Sequence, residues 1–95
     1  MEIRDFQRLM KELYIRRDLK RGVEKTYVWL VQEVGELGRA ILKGDRENLL
    51  EEIADVFAWL ASLSNILEID IEDAVMAKYD GKCPKCGKNP CECED

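Results

Sequence analysis

Two short stretches of this chain carry acids at helical spacing: Glu33-Val34-Gly35-Glu36-Leu37 and Glu51-Glu52-Ile53-Ala54-Asp55. Residues three apart on a helix share a face, one turn from each other. Glu33 with Glu36, and Glu52 with Asp55, would therefore form two carboxylate pairs. Between them, Lys43-Gly44-Asp45 reads as a helix stop followed by a new start. Gly44 suits the left-handed position after a helix, and Asp45 can accept a hydrogen bond from the next helix's free amides. So short a link folds two helices back antiparallel. Glu36 and Glu52 lie about eight residues from the turn and Glu33 and Asp55 about eleven, which at ~1.5 Å per residue sets both pairs at one height. Four carboxylates in one place cannot all stay ionised without a cation. All-oxygen ligands suit a hard ion, Mg²⁺ or Mn²⁺, of the kind that accompanies phosphate substrates. The competing reading makes these acids the solvated face of two amphipathic helices.

A second cluster has different chemistry. All four cysteines fall within residues 83–93, as Cys83-Pro84-Lys85-Cys86-Gly87 and Pro90-Cys91-Glu92-Cys93. Cys-Pro-x-Cys-Gly is a zinc-knuckle turn, holding two thiolates at tetrahedral spacing. With the second pair, the expected product is a closed, structural Cys₄ zinc site on a tail of residues 81–95, following a helical domain of residues 1–80. Cys91-x-Cys93 is tighter than the usual Cys-x-x-Cys, and two disulfides or an iron–sulfur cluster are the alternatives.

The elements that must position these groups read as helices throughout. Ile3, Phe6, Leu9, Met10, Leu13 and Tyr14 mark one buried stripe on a helix from residue 2 to about 17. Arg16, Arg17, Lys20 and Arg21 follow at its end, where cations complement the helix dipole; this reads as a solvated helix end, with phosphate binding as the alternative. Gly22 breaks the helix. A second runs from Val23–Thr26 to Lys43, with Val28, Val31, Leu37, Ala40 and Ile41 as apolar positions. Gly35 and Gly38 inside it each cost about 1 kcal/mol relative to Ala and suggest close approach of another helix or a ligand. The third helix, about Arg46 to Leu67, is apolar around most of its girth, which calls for burial on several sides and for help from another subunit. Asp70 is the expected cap of a short fourth helix over Ile71–Tyr79. Trp29 and Trp59 fall on the same side of the acidic cluster, as an aromatic wall for a nucleobase or as core residues at helical spacing.

Composition narrows the function. Ninety-five residues with 37% charged side chains and a net charge of −5 describe one small domain without the clustered basic surface that nucleic acid needs. The absence of histidine excludes Ser-His-Asp and Cys-His catalytic pairs and histidine-ligated zinc hydrolase sites. No apolar run resembles a signal peptide or a membrane span, so the expected setting is cytosolic, with no membrane partner.

With Glu33-Val34-Gly35-Glu36-Leu37 followed by Glu51-Glu52-Ile53-Ala54-Asp55-Val56, the chain resembles the MazG family of all-α nucleoside triphosphate pyrophosphohydrolases. Their motif is Glu-Glu-x-x-Glu, a spacer, then Glu-x-x-Asp. The similarity covers roughly residues 3–80, including Ile71-Glu72-Asp73-Ala74-Val75 and Lys78. It implies a bundle of about four helices, assembled as a homodimer or homotetramer. It also implies Mg²⁺-dependent cleavage of a nucleoside triphosphate into monophosphate and pyrophosphate, with a role in sanitising the nucleotide pool. Glu33, Glu36, Glu52 and Asp55 match the family's metal ligands and Lys78 a phosphate contact, while Trp59 falls where members place an aromatic beside the base. The first Glu of the motif is Gln32 here, and the basic segment after the lysine is replaced by Lys82 and the cysteine module. Two other functions remain open: cleavage of other nucleotide diphosphates, and a non-enzymatic helical module that docks partners through its zinc tail.

Overall fold

A computed structural model describes residues 1–94. Four helices account for its regular structure: α1 (Ile3–Arg21), α2 (Val23–Lys43), α3 (Arg46–Ile66) and α4 (Ile71–Lys78). Among the described residues there is no strand. The helix ends follow local chemistry. Gly22, at φ 88°, ends α1, and its amide donates to the Asp18 carbonyl at 2.9 Å. Gly44, at φ 71°, takes the left-handed position after α2 and closes that helix by donating to Ala40 and Ile41. The Asp45 carboxylate accepts from the amide of Asn48, and that of Asp70 from the amide of Asp73. These are N-caps, each satisfying an amide that the helix leaves free.

α1 runs one turn beyond the expected end near residue 17. Asp18 explains the extension: it is 1% exposed, and its Oδ1 accepts from Arg21 Nη1 at 2.9 Å. Arg21 also donates to the buried Thr26 Oγ1 at 3.3 Å, and that hydroxyl donates to the Gly22 carbonyl at 2.7 Å. The corner between α1 and α2 is thus polar and internally satisfied, apart from Asp18 Oδ2.

α2 and α3 form the antiparallel hairpin, and α1 packs against α3. Small side chains allow the close contact: Ala40 and Ala61 are fully buried, with Ser62 and Ser64 nearly so. Phe6 meets Phe57 edge to face at 5.2 Å between centroids. Gln7 ties the far end together. Its Nε2 donates to Asn65 Oδ1 (3.0 Å) and the Ile69 carbonyl (2.7 Å), while its Oε1 accepts from the Ile71 amide (2.8 Å). Arg4 adds ion pairs to Asp70, Glu72 and Asp73 at 3.0, 3.0 and 2.7 Å, fastening α4 to the start of α1. The Arg4 guanidinium is the main reason the Asp70 carboxyl lies below its ordinary range.

Much of the expected apolar stripe is uncovered in the single chain. On α1, Met10 is buried, but Leu13 and Tyr14 are exposed. On α2, Ala40 is buried and Leu37 half-buried, whereas Val28, Val31 and Ile41 are each more than half exposed. Leu50, Ile53 and Leu60 of α3 are exposed as well. The reason is geometric: two long helices and a third across them cover one side of each other and leave the remaining sides bare. Nor does a helix approach Gly35 or Gly38 within the chain, since a Cβ at either would meet nothing within 4 Å.

Gln7→Ala should leave the Ile71 amide and the Ile69 carbonyl without their partners. The expected loss is about 1–3 kcal/mol of unfolding free energy, read as a lower denaturation midpoint with unchanged far-UV circular dichroism at low denaturant. An unchanged midpoint would remove Gln7 from its place as the tie between α1 and α4.

Candidate active site and cysteine centre

The hairpin register sets the site. Gly44 and Asp45 fix where α2 turns into α3, and the helical repeat then brings Glu33 opposite Glu52 and Asp55. Carboxylate oxygens of these three lie within 4.8 Å of one another. Glu36, the fourth expected acid, stands apart from the three: it pairs with Arg39 at 3.3 Å and is about half exposed. It still lines the same cavity, of about 660 Å³, with Trp29, Gln32, Glu33, Gly35, Arg39, Glu52 and Asp55. Gly35 lines this cavity with open space where a Cβ would stand.

Electrostatics at the acids are unfavourable as they stand. The Glu33 carboxyl is pushed above its usual range, chiefly by burial, then by the Glu52 carboxyl beside it and by the charges of Asp55 and Glu36. Glu52 Oε2 is buried and has no hydrogen-bond partner. A buried carboxylate oxygen without a donor is costly, and an oxygen-seeking divalent cation supplies what it lacks. The donor set thus fits Mg²⁺ or Mn²⁺ on this chain's own chemistry.

The tryptophans stack on each other, with centroids 5.8 Å apart and planes 14° from parallel. Trp29 is 46% exposed and so is not a core residue in the single chain. Arg21 lies over the Trp59 ring at 4.7 Å. A second cavity of about 380 Å³ opens here, lined by Met10, Tyr14, Arg17, Asp18, Arg21, Asp55, Ala58, Trp59 and Ser62. Asp55 belongs to both cavities, so the two adjoin.

The reading of the basic cluster as a solvated helix end fails for Arg21, which is largely enclosed between Asp18 and Trp59. Asp18 is the residue that the sequence reading missed; an acid interrupting a basic run, three positions before Arg21, was the available signal. Lys78 ends α4, with its ammonium 5.6 Å from the Tyr79 ring, and is not among the residues lining the acidic cavity.

The four cysteines also converge, with all their sulfurs within 4.8 Å of one another. Backbone amides of Glu92 and Lys88 pull the Cys86 thiol down to about 6, and those of Cys86 and Lys85 lower Cys83. Cys93 moves the other way, to about 11, because the sulfurs of Cys91, Cys83 and Cys86 crowd it.

The fold is an all-α bundle in which an acid-lined helical hairpin adjoins an aromatic cavity. The particular family follows from sequence: residues 21–87, most of the chain, match the MazG nucleotide pyrophosphohydrolase domain. The chain belongs to that family, whose members typically use divalent metal ions. No curated protein matches it.

The raised Glu33 has a consequence for stability in the absence of divalent cations. A carboxyl whose folded pKa exceeds its unfolded value stabilises the fold below about its ordinary pKa, and that contribution is lost as pH rises through the folded value. In EDTA, Tm should decline as pH rises from the ordinary glutamate value of 4.5. Millimolar Mg²⁺ should offset the decline, and Glu33→Gln should flatten it. A wild-type Tm independent of pH over this window, with and without Mg²⁺, would contradict the electrostatic account.

Proposed function

We propose that this protein hydrolyses nucleoside or deoxynucleoside triphosphates to the monophosphate and pyrophosphate, dependent on Mg²⁺ or Mn²⁺, as a sanitising enzyme of the nucleotide pool. The observation that carries this reading is the convergence of Glu33, Glu52 and Asp55 around a buried, unpartnered oxygen of Glu52. Glu33, Glu52 and Asp55 would hold the cation, with Glu36 completing the set once its side chain leaves Arg39. When bound, such an ion offsets the charge of the triphosphate against the carboxylates and favours attack by water.

The remaining work falls to this chain's side chains. Arg39, freed from Glu36, can turn to a phosphate oxygen in a charge-assisted hydrogen bond. The adjoining cavity suits the nucleoside: Trp59 and Tyr14 offer aromatic surface, Arg17 and Arg21 positive charge. Trp29 must slide off Trp59 if a base is to enter between them. In the reaction, water attacks the α-phosphorus, the bond to the bridging oxygen breaks, and pyrophosphate leaves. Gln32 lines the acidic cavity and can orient water through its carbonyl oxygen. An amide cannot take the proton, so one of the carboxylates must.

Self-association belongs to this reading. The chain exposes 7511 Å², where a folded monomer of 11.0 kDa exposes about 5600 Å². The excess, about 1900 Å² per chain, falls in the range of obligate interfaces. The radius of gyration, 15.6 Å, likewise exceeds the roughly 12 Å of a compact chain this long. In a homodimer or homotetramer, Lys78 would serve as a phosphate contact for the site of a second copy.

Pyrophosphate and matching monophosphate should appear from a panel of nucleoside triphosphates with Mg²⁺ and disappear with excess EDTA. Glu52→Gln and Asp55→Asn should each lower kcat/KM at least about a hundredfold with an unchanged helical spectrum. Trp59→Ala should act mainly on KM, by about tenfold for a lost base stack. Release from no triphosphate would move the reading to nucleotide diphosphates or to a non-enzymatic module. In sedimentation equilibrium the protein should be a dimer or tetramer, and a monomer at micromolar concentration would overturn the assembly.

A further inference from the structure

Beyond the phosphate chemistry, we propose that Cys83, Cys86, Cys91 and Cys93 hold one zinc ion in a closed tetrahedral thiolate site that folds the tail independently of the helices. The sulfur spacing carries this. A zinc–thiolate bond of about 2.3 Å places neighbouring sulfurs of a tetrahedron about 3.8 Å apart. Cys83 and Cys93 are 3.7 Å apart, and Cys86 and Cys91 3.9 Å. Both pairs link the first knuckle to the second, so the two halves of the tail clasp one centre.

The alternatives fit less well. Two disulfides would need only two separate close pairs, each at about 2.05 Å, and give no reason for four sulfurs to gather around a point. An iron–sulfur cluster would spread the thiolates to enclose its own sulfides.

The backbone is shaped for the same purpose. The Cys83 carbonyl accepts from the Gly87 amide at 2.8 Å, with Gly87 at φ 72°, where its missing Cβ allows the knuckle to close. The Glu92 amide donates to Cys86 Sγ at 3.4 Å and the Cys93 amide to Cys91 Sγ at 3.3 Å. Four thiolates around Zn²⁺ leave two net negative charges, and Lys82, Lys85 and Lys88 lie between and beside the ligands in sequence. From Gly81 to Glu94 the chain contains no large apolar side chain. Without a core, metal binding has to supply the folding free energy. Cys91 and Cys93 lie beyond residues 21–87, so the match to the family stops short of the second half of the site.

Native mass spectrometry and elemental analysis of the full chain, purified under reducing conditions, test this. The expected result is one zinc per chain, with four alkylatable thiols after denaturation without reductant. Titrating the thiols with an organomercurial should release one equivalent of zinc while the helical spectrum persists. Cys86→Ser and Cys93→Ser should each lose the zinc and retain the helices; replacing zinc with Co²⁺ should give thiolate-to-metal absorption in wild type only. Two disulfides, stoichiometric iron, or no bound metal in the reduced protein would overturn the proposal. None of these outcomes bears on pyrophosphate release, so this inference and the proposed activity fail separately.

Discussion

Repulsion among carboxylates is the constraint on which this structure turns. The α2–α3 hairpin forces Glu33, Glu52 and Asp55 together, and no lysine or arginine pairs with any of the three among the described residues. The one nearby guanidinium on the same helix, Arg39, is taken by Glu36. Glu33 resists ionisation chiefly through its own burial and then through the Glu52 carboxyl beside it. An arrangement held only for packing would replace such acids with apolar residues at no loss. Keeping them makes sense where a cation relieves the repulsion, and that ties the site to the turn at Gly44–Asp45, since a slip of one residue would rotate an acid away.

The second constraint is a small core. Three packed helices bury few side chains completely: Ala40, Thr26 and Ala61, with the acid Asp18. Polar ties do the work that a larger core would do. Gln7 holds α1 to the α3–α4 link, and Asp18 with Arg21 and Thr26 holds the α1–α2 corner. Such ties fix geometry more than they add net stability, since each exchanges water for protein partners. The apolar surface left bare on α2 and α3 is then the reservoir of stability that an assembly would draw on.

Helix number, the turn at Gly44, the caps at Asp45 and Asp70, and the convergence of Glu33 with Glu52 and Asp55 were legible in the sequence. They follow from periodicity and turn chemistry, both of which are local. Less legible were matters of side-chain competition. Glu36 has the right spacing but a better partner in Arg39, three residues on along its own helix. Arg21 looked like a solvated helix end because its burial depends on Trp59, distant in sequence. The apolar stripe of α1 was read correctly as apolar, but its Leu13 and Tyr14 are not buried within the chain, because hydrophobic pattern reports what must be covered and not by what. Trp29 shows both effects: its height beside the acids was readable, its stacking on Trp59 in the open was not.

The two ligand clusters divide along a chemical line. Glu33, Glu52 and Asp55 offer hard oxygens, partly buried, on rigid helices; the four cysteines offer soft sulfurs on a tail with no core. Thiolates favour zinc over Mg²⁺ and carboxylates suit Mg²⁺, so ligand type would help direct each proposed ion to its own cluster. The separation also explains the different supports. Oxygen ligands on helices need a preformed register, because Mg²⁺ binds weakly and cannot organise a chain. Thiolates need none, because zinc binds tightly enough to fold its own loop. On the zinc reading proposed above, a protein this small adds a metal-folded tail without disturbing the hairpin, provided the tail takes no ligand from it, and the sequence confines every cysteine to residues 83–93.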